Sequence, residues 1–459
     1  MRKTTRLLTG LIPLLLAACY DNGGYGYFGY GQQPPPVGPQ ASVQFVHASP
    51  DAPPVNVLVD GFVAIPNLDY GQGTGEQQIS AGTHTIEIQT LTPGSLTTVI
   101  GPTTMTLVEN TDYVFAAEGP VASINAQIYS HALAIVGANS SQVQFVHAAP
   151  NAPSVSIYLT APGADLASST PFGTISFQGA VGPTQIASGQ YEIRVTPAGT
   201  PATVLYDSGT ILLDGGTDFV FSAMQNEGAG TATIFISAVD AFGDSQRLYD
   251  VATPVNVRVV NDSPNAPALA ILANGNTATP FVSSLAYEAV AAYQSMTAGS
   301  DSVEITPASN TGDVLLNQPL EFDAGGNYSI FAVGSYSSLQ TFVTRDFNRR
   351  YATQAKLRFL NGSPAAGLVD VYLTPPGTAI ASVAPTYAGV AFLNDTGFVS
   401  YAAGTYDLSI TPAGSQTPSI GPTSVSLSNS GVYTAVLRDA AGGGAPLGVI
   451  YLDDFNGSP

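Results

Sequence analysis

No tryptophan, one cysteine, four histidines and twelve lysines and arginines appear among 459 residues. A lone cysteine excludes any disulfide within the chain, so the folded part is held by packing and hydrogen bonds. Against the few bases stand 32 acidic residues, and a net charge of −20 disfavours nucleic acid and anionic lipid surfaces as partners. With 10% of residues charged, Ser, Thr, Asn, Gln and Gly must supply most of the wetted surface, which is not the composition of a typical cytosolic enzyme. Chemical motifs are missing too. There is no Gly-x-Ser-x-Gly elbow, phosphate-binding glycine loop, His-Glu-x-x-His or paired-Cys metal pattern. Gly442-Gly443-Gly444 lacks the lysine and helix of a phosphate cradle and is expected to be a hairpin loop. Beyond the first residues, no stretch carries the apolar period of a helix.

What is present begins with an address. Arg2, Lys3 and Arg6 precede an apolar run from Leu7 to Leu16, too short to span a bilayer, and then Leu16-Ala17-Ala18-Cys19. This resembles a bacterial lipoprotein signal peptide over residues 1–18. The resemblance implies cleavage before Cys19, with lipid, palmitate included, on that residue as a membrane anchor. Tyr20 follows the cysteine where an inner-membrane retention signal would place Asp, so the resemblance implies the outer membrane, on its periplasmic face or at the cell surface. Nine basic residues lie beyond the leader, and the net charge there is about −23. Residues 19–40, rich in Gly, Tyr and Pro, read as a tether. Tyr25, Tyr27, Phe28 and Tyr30 within it are also of the type that stacks on wall sugars or sits at a membrane interface.

The rest of the chain repeats. Val43 to Gly61 reads VQFVHASPDAPPVNVLVDG, and related stretches start at Val143, Val257 and Leu357. The anchoring prolines Pro50, Pro150, Pro264 and Pro364 recur at roughly a hundred residues, a domain-sized period. Four domains follow, at 41–138, 139–250, 251–352 and 353–459, joined by short links. The last closes on Leu452-Asp453-Asp454-Phe455-Asn456, which echoes Thr344 to Asn348 and is expected to complete the fourth domain. In the first repeat, strands are expected at 42–48, 55–59, 62–65, 83–89, 104–108, 113–117 and 126–129. Turn signals every eight to twelve residues or so give the rhythm of a sandwich or barrel. His84-Ile86-Ile88 set against Thr83, Thr85, Glu87 and Gln89 has the period of two that marks antiparallel sheet with one buried face. A recurrent turn glycine, Gly82, Gly189, Gly299 and Gly404, is expected at positive φ.

The opening motif, His-Ala-Ser-Pro-Asp-Ala-Pro followed by Val-Asn-Val-Leu-Val-Asp-Gly, resembles that of the bacterial domain-of-unknown-function family 4397. So does the Thr196-Pro197-Ala198-Gly199 turn. The match is stronger in the first two copies than in the last two, where Asn261 and Asn361 replace His47 and His147. The resemblance implies tandem extracytoplasmic, immunoglobulin-like antiparallel β-sandwiches, with no catalytic residues to carry over.

His47 and His147 are the tempting candidates for chemistry, but Asn cannot act as a base. What His and Asn share is the ability to hydrogen-bond a nearby backbone, so His47, His147, Asn261 and Asn361 are read as structural, together with their prolines. Asp51, Asn56 and Asp60 resemble a calcium ligand set only until the third copy, where the equivalent places are Asn265, Ala270 and Asn274. No metal and no cofactor is therefore assigned. The expected function is a non-catalytic envelope array for binding, adhesion or spacing, with a wall polymer, surface glycan or other envelope protein as partner. One alternative is a surface polysaccharide hydrolase using acids such as Asp207, Asp214, Asp218 and Glu227. Another is an assembly or secretion accessory. If Cys19 carries the anchor, globomycin will cause the uncleaved precursor to accumulate, and Cys19→Ser will abolish palmitate labelling; labelling that survives the substitution refutes the assignment.

Overall fold

Ala41, Val43 and Phe45 point to one side of the first strand, β1 (Gln40–Ala48), and Ser42, Gln44, Val46 and Ala48 to the other, yet both sides are buried. A strand covered on both faces must lie inside a stack of layers, and that constraint organises the molecule. The computed structural model describes residues 38–227 and 233–453. The leader with Leu16, Ala17, Ala18 and Cys19, the tether as far as residue 37, and Asp454 onward lie outside the described residues.

After β1 the first repeat continues with β2 (Val55–Val59), β3 (Phe62–Leu68), β4 (Gln77–Ser80), β5 (Gly82–Thr92), β6 (Ser95–Leu107), β7 (Thr111–Glu118) and β8 (Asn125–Ala132). They form two sheets, β4-β1-β7-β8 and β3-β2-β5-β6. Val43 and Phe45 from the first sheet meet Val55, Val57, Ile86 and Ile88 from the second in one core. Each later repeat has the same pair of sheets around its own core, the second repeat adding an edge strand at Ser245–Leu248. The fold is thus all-β, four tandem immunoglobulin-like sandwiches. Pairing is antiparallel apart from the first and seventh strands of each repeat, which run parallel, as in Val43 beside Tyr113.

All seven strands expected in the first repeat are present, several of them longer. The eighth, β4, is absent from the sequence reading because Gln77-Gln78-Ile79-Ser80 is a short, polar edge strand without alternation. Three of the four turn glycines take positive φ, at +141°, +148° and +119° for Gly82, Gly189 and Gly299, whereas Gly404 does not. Among the described residues, no helix is long and apolar enough to cross a membrane.

The repeats are not separate beads. Val46, Ala48, Tyr70, Val114 and Ala116 of the first pack against Val146, Ala148, Val220, Met224 and Phe235 of the second. Val260, Phe331 and Val333 of the third likewise meet Leu360, Val436, Ile450 and Leu452 of the fourth. In both pairs the sheets carrying the first strands lie face to face, making four layers. The approach is close: a Cβ on Gly73 would sit 2.8 Å from the Val239 side chain and one on Gly75 would sit 2.7 Å from the Phe242 backbone. Those glycines let the loop before β4 lie along the second repeat, where Glu76 N–H donates to Ala241 O at 2.9 Å.

Because Phe235 is buried between repeats and not within one, Phe235→Ala will destabilise the protein by about 3–5 kcal/mol in urea unfolding. Phe62→Ala, at a ring 77% exposed, will leave the midpoint nearly unchanged.

Candidate functional site

The repeated motif builds the same latch from two residue types. His47 Nε2 donates to Pro53 O at 3.1 Å while Nδ1 accepts from Ser49 N–H at 3.3 Å. His147 makes the same pair of bonds, to Pro153 O at 3.0 Å and from Ala149 N–H at 3.4 Å. Asn361 Nδ2 donates to Gly367 O at 2.9 Å and its Oδ1 accepts from Ser363 N–H at 3.1 Å. Asn261 likewise accepts from Ser263 N–H, at 3.1 Å, and donates to Leu285 O at 2.9 Å. Each side chain accepts from the N–H two residues on, at the start of the turn between the sheets; His47, His147 and Asn361 also bond a carbonyl at the far end of that turn, whereas Asn261 bonds the third strand of its repeat instead. Burial, reinforced by Arg349, lowers the His47 pKa to about 4, so its imidazole is neutral at physiological pH. Of the motif prolines, Pro50 and Pro264 are buried, Pro150 is half-buried and Pro364 is exposed.

The densest chemistry lies where the repeats meet. Arg247 of the second repeat stands 5.3 Å from the Phe235 ring and 5.9 Å from Tyr70 of the first. Arg349, in the link between the third and fourth repeats, stands 5.4 Å from Tyr70 and 4.6 Å from Tyr351. Lys356 follows, 4.7 Å from Tyr351 and 5.4 Å from Phe398, and then Arg358, 4.6 Å from Phe398. Arg358 pairs with Asp346, which also lies 3.9 Å from Arg258, itself 4.7 Å from the Tyr293 ring. Cations and rings alternate along a seam through all four repeats, each contact worth about 0.5–2 kcal/mol. Arg349 also pairs with Asp69 and donates to Ala52 O at 2.5 Å, while Ala352 N–H donates to Asp51 O at 2.8 Å. Five of the nine basic residues beyond the leader are therefore in this seam. Burial, with Arg349 nearby, brings the Lys356 pKa down to about 7.

The acids suggested for a hydrolase stand apart. Asp207 lies beside Glu192 and Arg194 on neighbouring strands. Asp214 gives its backbone carbonyl to Ser141 Oγ at 2.7 Å. Glu227 faces Arg349, Asp51 and Arg247, and burial raises its pKa to about 7. Asp218 joins a group of three carboxylates, with Glu76 and Asp112, whose oxygens lie within 4.8 Å of one another. Asp51, Asn56 and Asp60 do not converge either: they accept from Val121 N–H, Asn67 N–H and Thr85 N–H respectively.

One array was not anticipated from sequence. His84 Nδ1 is 2.7 Å from Asp60 Oδ2, and its Nε2 is 3.3 Å from Ser80 Oγ. Serine, histidine and aspartate in that order resemble a nucleophilic triad. Here, however, Nε2 lies nearer the Ser80 carbonyl oxygen, at 2.8 Å, and must carry a proton to bond it. A nitrogen in that state cannot deprotonate the hydroxyl, so the array ties strands together. No local motif signals it, since the residues come from three separate elements.

A family model described as Domain of unknown function (DUF4397) matches residues 41–158 and 255–372. No curated protein matches the chain. Among solved structures, the Bacillus anthracis TIE protein aligns over 84% of this chain and 66% of its own, just under two thirds of its length, at 10% identity and a TM-score of 0.15. A proposed cell adhesion protein from Bacteroides eggerthii aligns over 70% of this chain and 97% of its own, at 10% identity and a TM-score of 0.14. At such TM-scores neither likeness bears on fold or function.

The seam has a weak point at Asp346, whose carboxylate is wholly buried between two arginines and also accepts from Tyr293 and Ser329 hydroxyls at 2.5 Å. Asp346→Asn removes the buried charge that both arginines share and will cost about 3–5 kcal/mol in urea unfolding. Asp323→Asn, at the exposed ion pair with Arg345, will produce no measurable change.

Proposed function

The chain belongs to the DUF4397 family, and from that premise we propose that it is a lipid-anchored cell-envelope protein whose paired β-repeats bind or space other envelope components without transforming them. The observation that carries this reading is how the sheet faces are divided. The sheets holding the first strands are occupied by one another, and the seam takes up most of the basic side chains. What faces outward is the second sheet of each repeat and the loops at its ends. The outward edges are polar and mostly uncharged: Thr97, Thr98, Thr103, Thr104 and Thr106 in the first repeat, Asn317 in the third, Thr423, Ser424 and Ser426 in the fourth. Such edges suit hydrogen bonding to the hydroxyls of a neutral wall polymer or glycan, or to a protein surface, and not to a polyanion. Repetition along one chain multiplies contacts that are weak singly. An anchor at Cys19 would hold the array at the outer membrane.

Full-length protein in detergent, passed over immobilised peptidoglycan, surface polysaccharide and envelope protein fractions, tests this. Retention is expected on at least one fraction and should persist at about 0.5 M salt, where exposed charges are screened within a few ångströms. Retention on none of them, or measurable turnover of a polysaccharide, overturns the proposal.

A further inference from the structure

The contact between the first two repeats brings acids together where the other pair brings bases. Asp112 and Asp218 hold the same place in the seventh strands of their repeats, beside Ser42 and Gln142 on the first strands. Glu76 enters one residue before β4, where its neighbour Gln77 pairs with Val43. The same register in the third and fourth repeats puts Asn327 and Val432 for the two aspartates, Asn256 and Lys356 for Ser42 and Gln142, and Tyr293 and Phe398 for Glu76. Those two rings carry Arg258 and Arg358, which stand in the register place of Gln44. One pair of repeats thus has its positive charge built in, and the other presents carboxylates at the equivalent face.

The charged groups acting on the three carboxylates are one another and His131, whose Nε2 is 3.5 Å from Asp112. Burial first and mutual repulsion second raise Glu76 to about 7 and Asp218 to about 6. Two further oxygens are left over. Ser42 Oγ, in a residue 1% exposed, faces Glu76 and Asp112 yet completes no hydrogen bond of normal geometry among the described residues. Asp218 Oδ1 is buried without a partner, while Oδ2 accepts from Gln142 Nε2 at 3.1 Å. Hydroxyl and carboxylate oxygens are hard ligands that suit calcium, magnesium or manganese. Three carboxylates and a hydroxyl converging from two repeats suit calcium, which takes six to eight oxygens in flexible geometry, better than magnesium, which demands a near-ideal octahedron and keeps most of its water.

We propose that Glu76, Asp112 and Ser42 of the first repeat and Asp218 of the second form a calcium-type cation site that bridges the two repeats. Water completes the coordination sphere, and the bound ion does for this pair what Lys356, Arg258 and Arg358 do for the other. The inference is independent of whether the array binds a wall polymer.

Full-length protein stripped with EDTA and titrated with calcium chloride provides the test. Thermal unfolding is expected to rise by about 2–4 °C, with half-saturation at about 0.1–1 mM, the range of extracellular calcium modules. The double variant Asp112→Asn/Asp218→Asn should melt no lower than the wild type without calcium and should not respond to it. Should that variant fail to fold, Glu76→Gln will serve, with half-saturating calcium raised about tenfold by the loss of one ligand charge. An unresponsive wild type, an equal response from the variants, or a magnesium response matching that of calcium overturns the proposal.

Discussion

Burial of the first strand on both faces is the constraint from which the rest follows. In an isolated sandwich one face of that strand would meet water, and Val46, Val146, Val260 and Leu360 would be exposed. Instead the repeats pair, and each of these residues is at most 2% exposed. At about 25 cal/mol per Å² of apolar area removed from water, a face of such residues is a strong drive to dock. It also makes the repeat pair, and not the single repeat, the natural unit of stability.

Docking two sheet faces has an electrostatic consequence. Polar groups at the contact lose water and must find partners there, and at the start of the first strands the two pairs meet this need with opposite charge. Between the third and fourth repeats, arginines lie on aromatic rings around Asp346. Between the first and second, carboxylates gather around Asp112, and Glu118, at the other end of the same strand, is buried beside Tyr129 with its pKa raised to about 8 by desolvation. Bases concentrated in the seam leave the exposed surface acidic. The low basic content, which reads in the sequence as a property of the surface, also reflects a demand of the interior.

The sequence made the β-sandwich legible because its evidence is local. Alternation at His84-Ile86-Ile88, turn glycines and recurrent prolines each act over a few residues. The polar edge strand β4 left no such trace. The seam and the acid group were illegible for another reason: Arg247, Tyr70, Arg349 and Lys356 come from widely separated parts of the chain, and Glu76, Asp112 and Asp218 from separate segments of two repeats. A clue to the pairing was nevertheless present. Val43-Gln44-Phe45-Val46 is only partly alternating, with apolar side chains on both sides, which is how a strand buried on two faces is written.

The sequence by itself determined the repeat, the strand period, the turns and the latch positions at which His and Asn serve alike, because each is set by backbone geometry within one hairpin or turn. Only the tertiary structure decided which faces meet, and hence where charge is buried and which acids become neighbours. That choice depends on complementarity between surfaces a hundred or more residues apart, and such complementarity leaves no periodic mark on the chain.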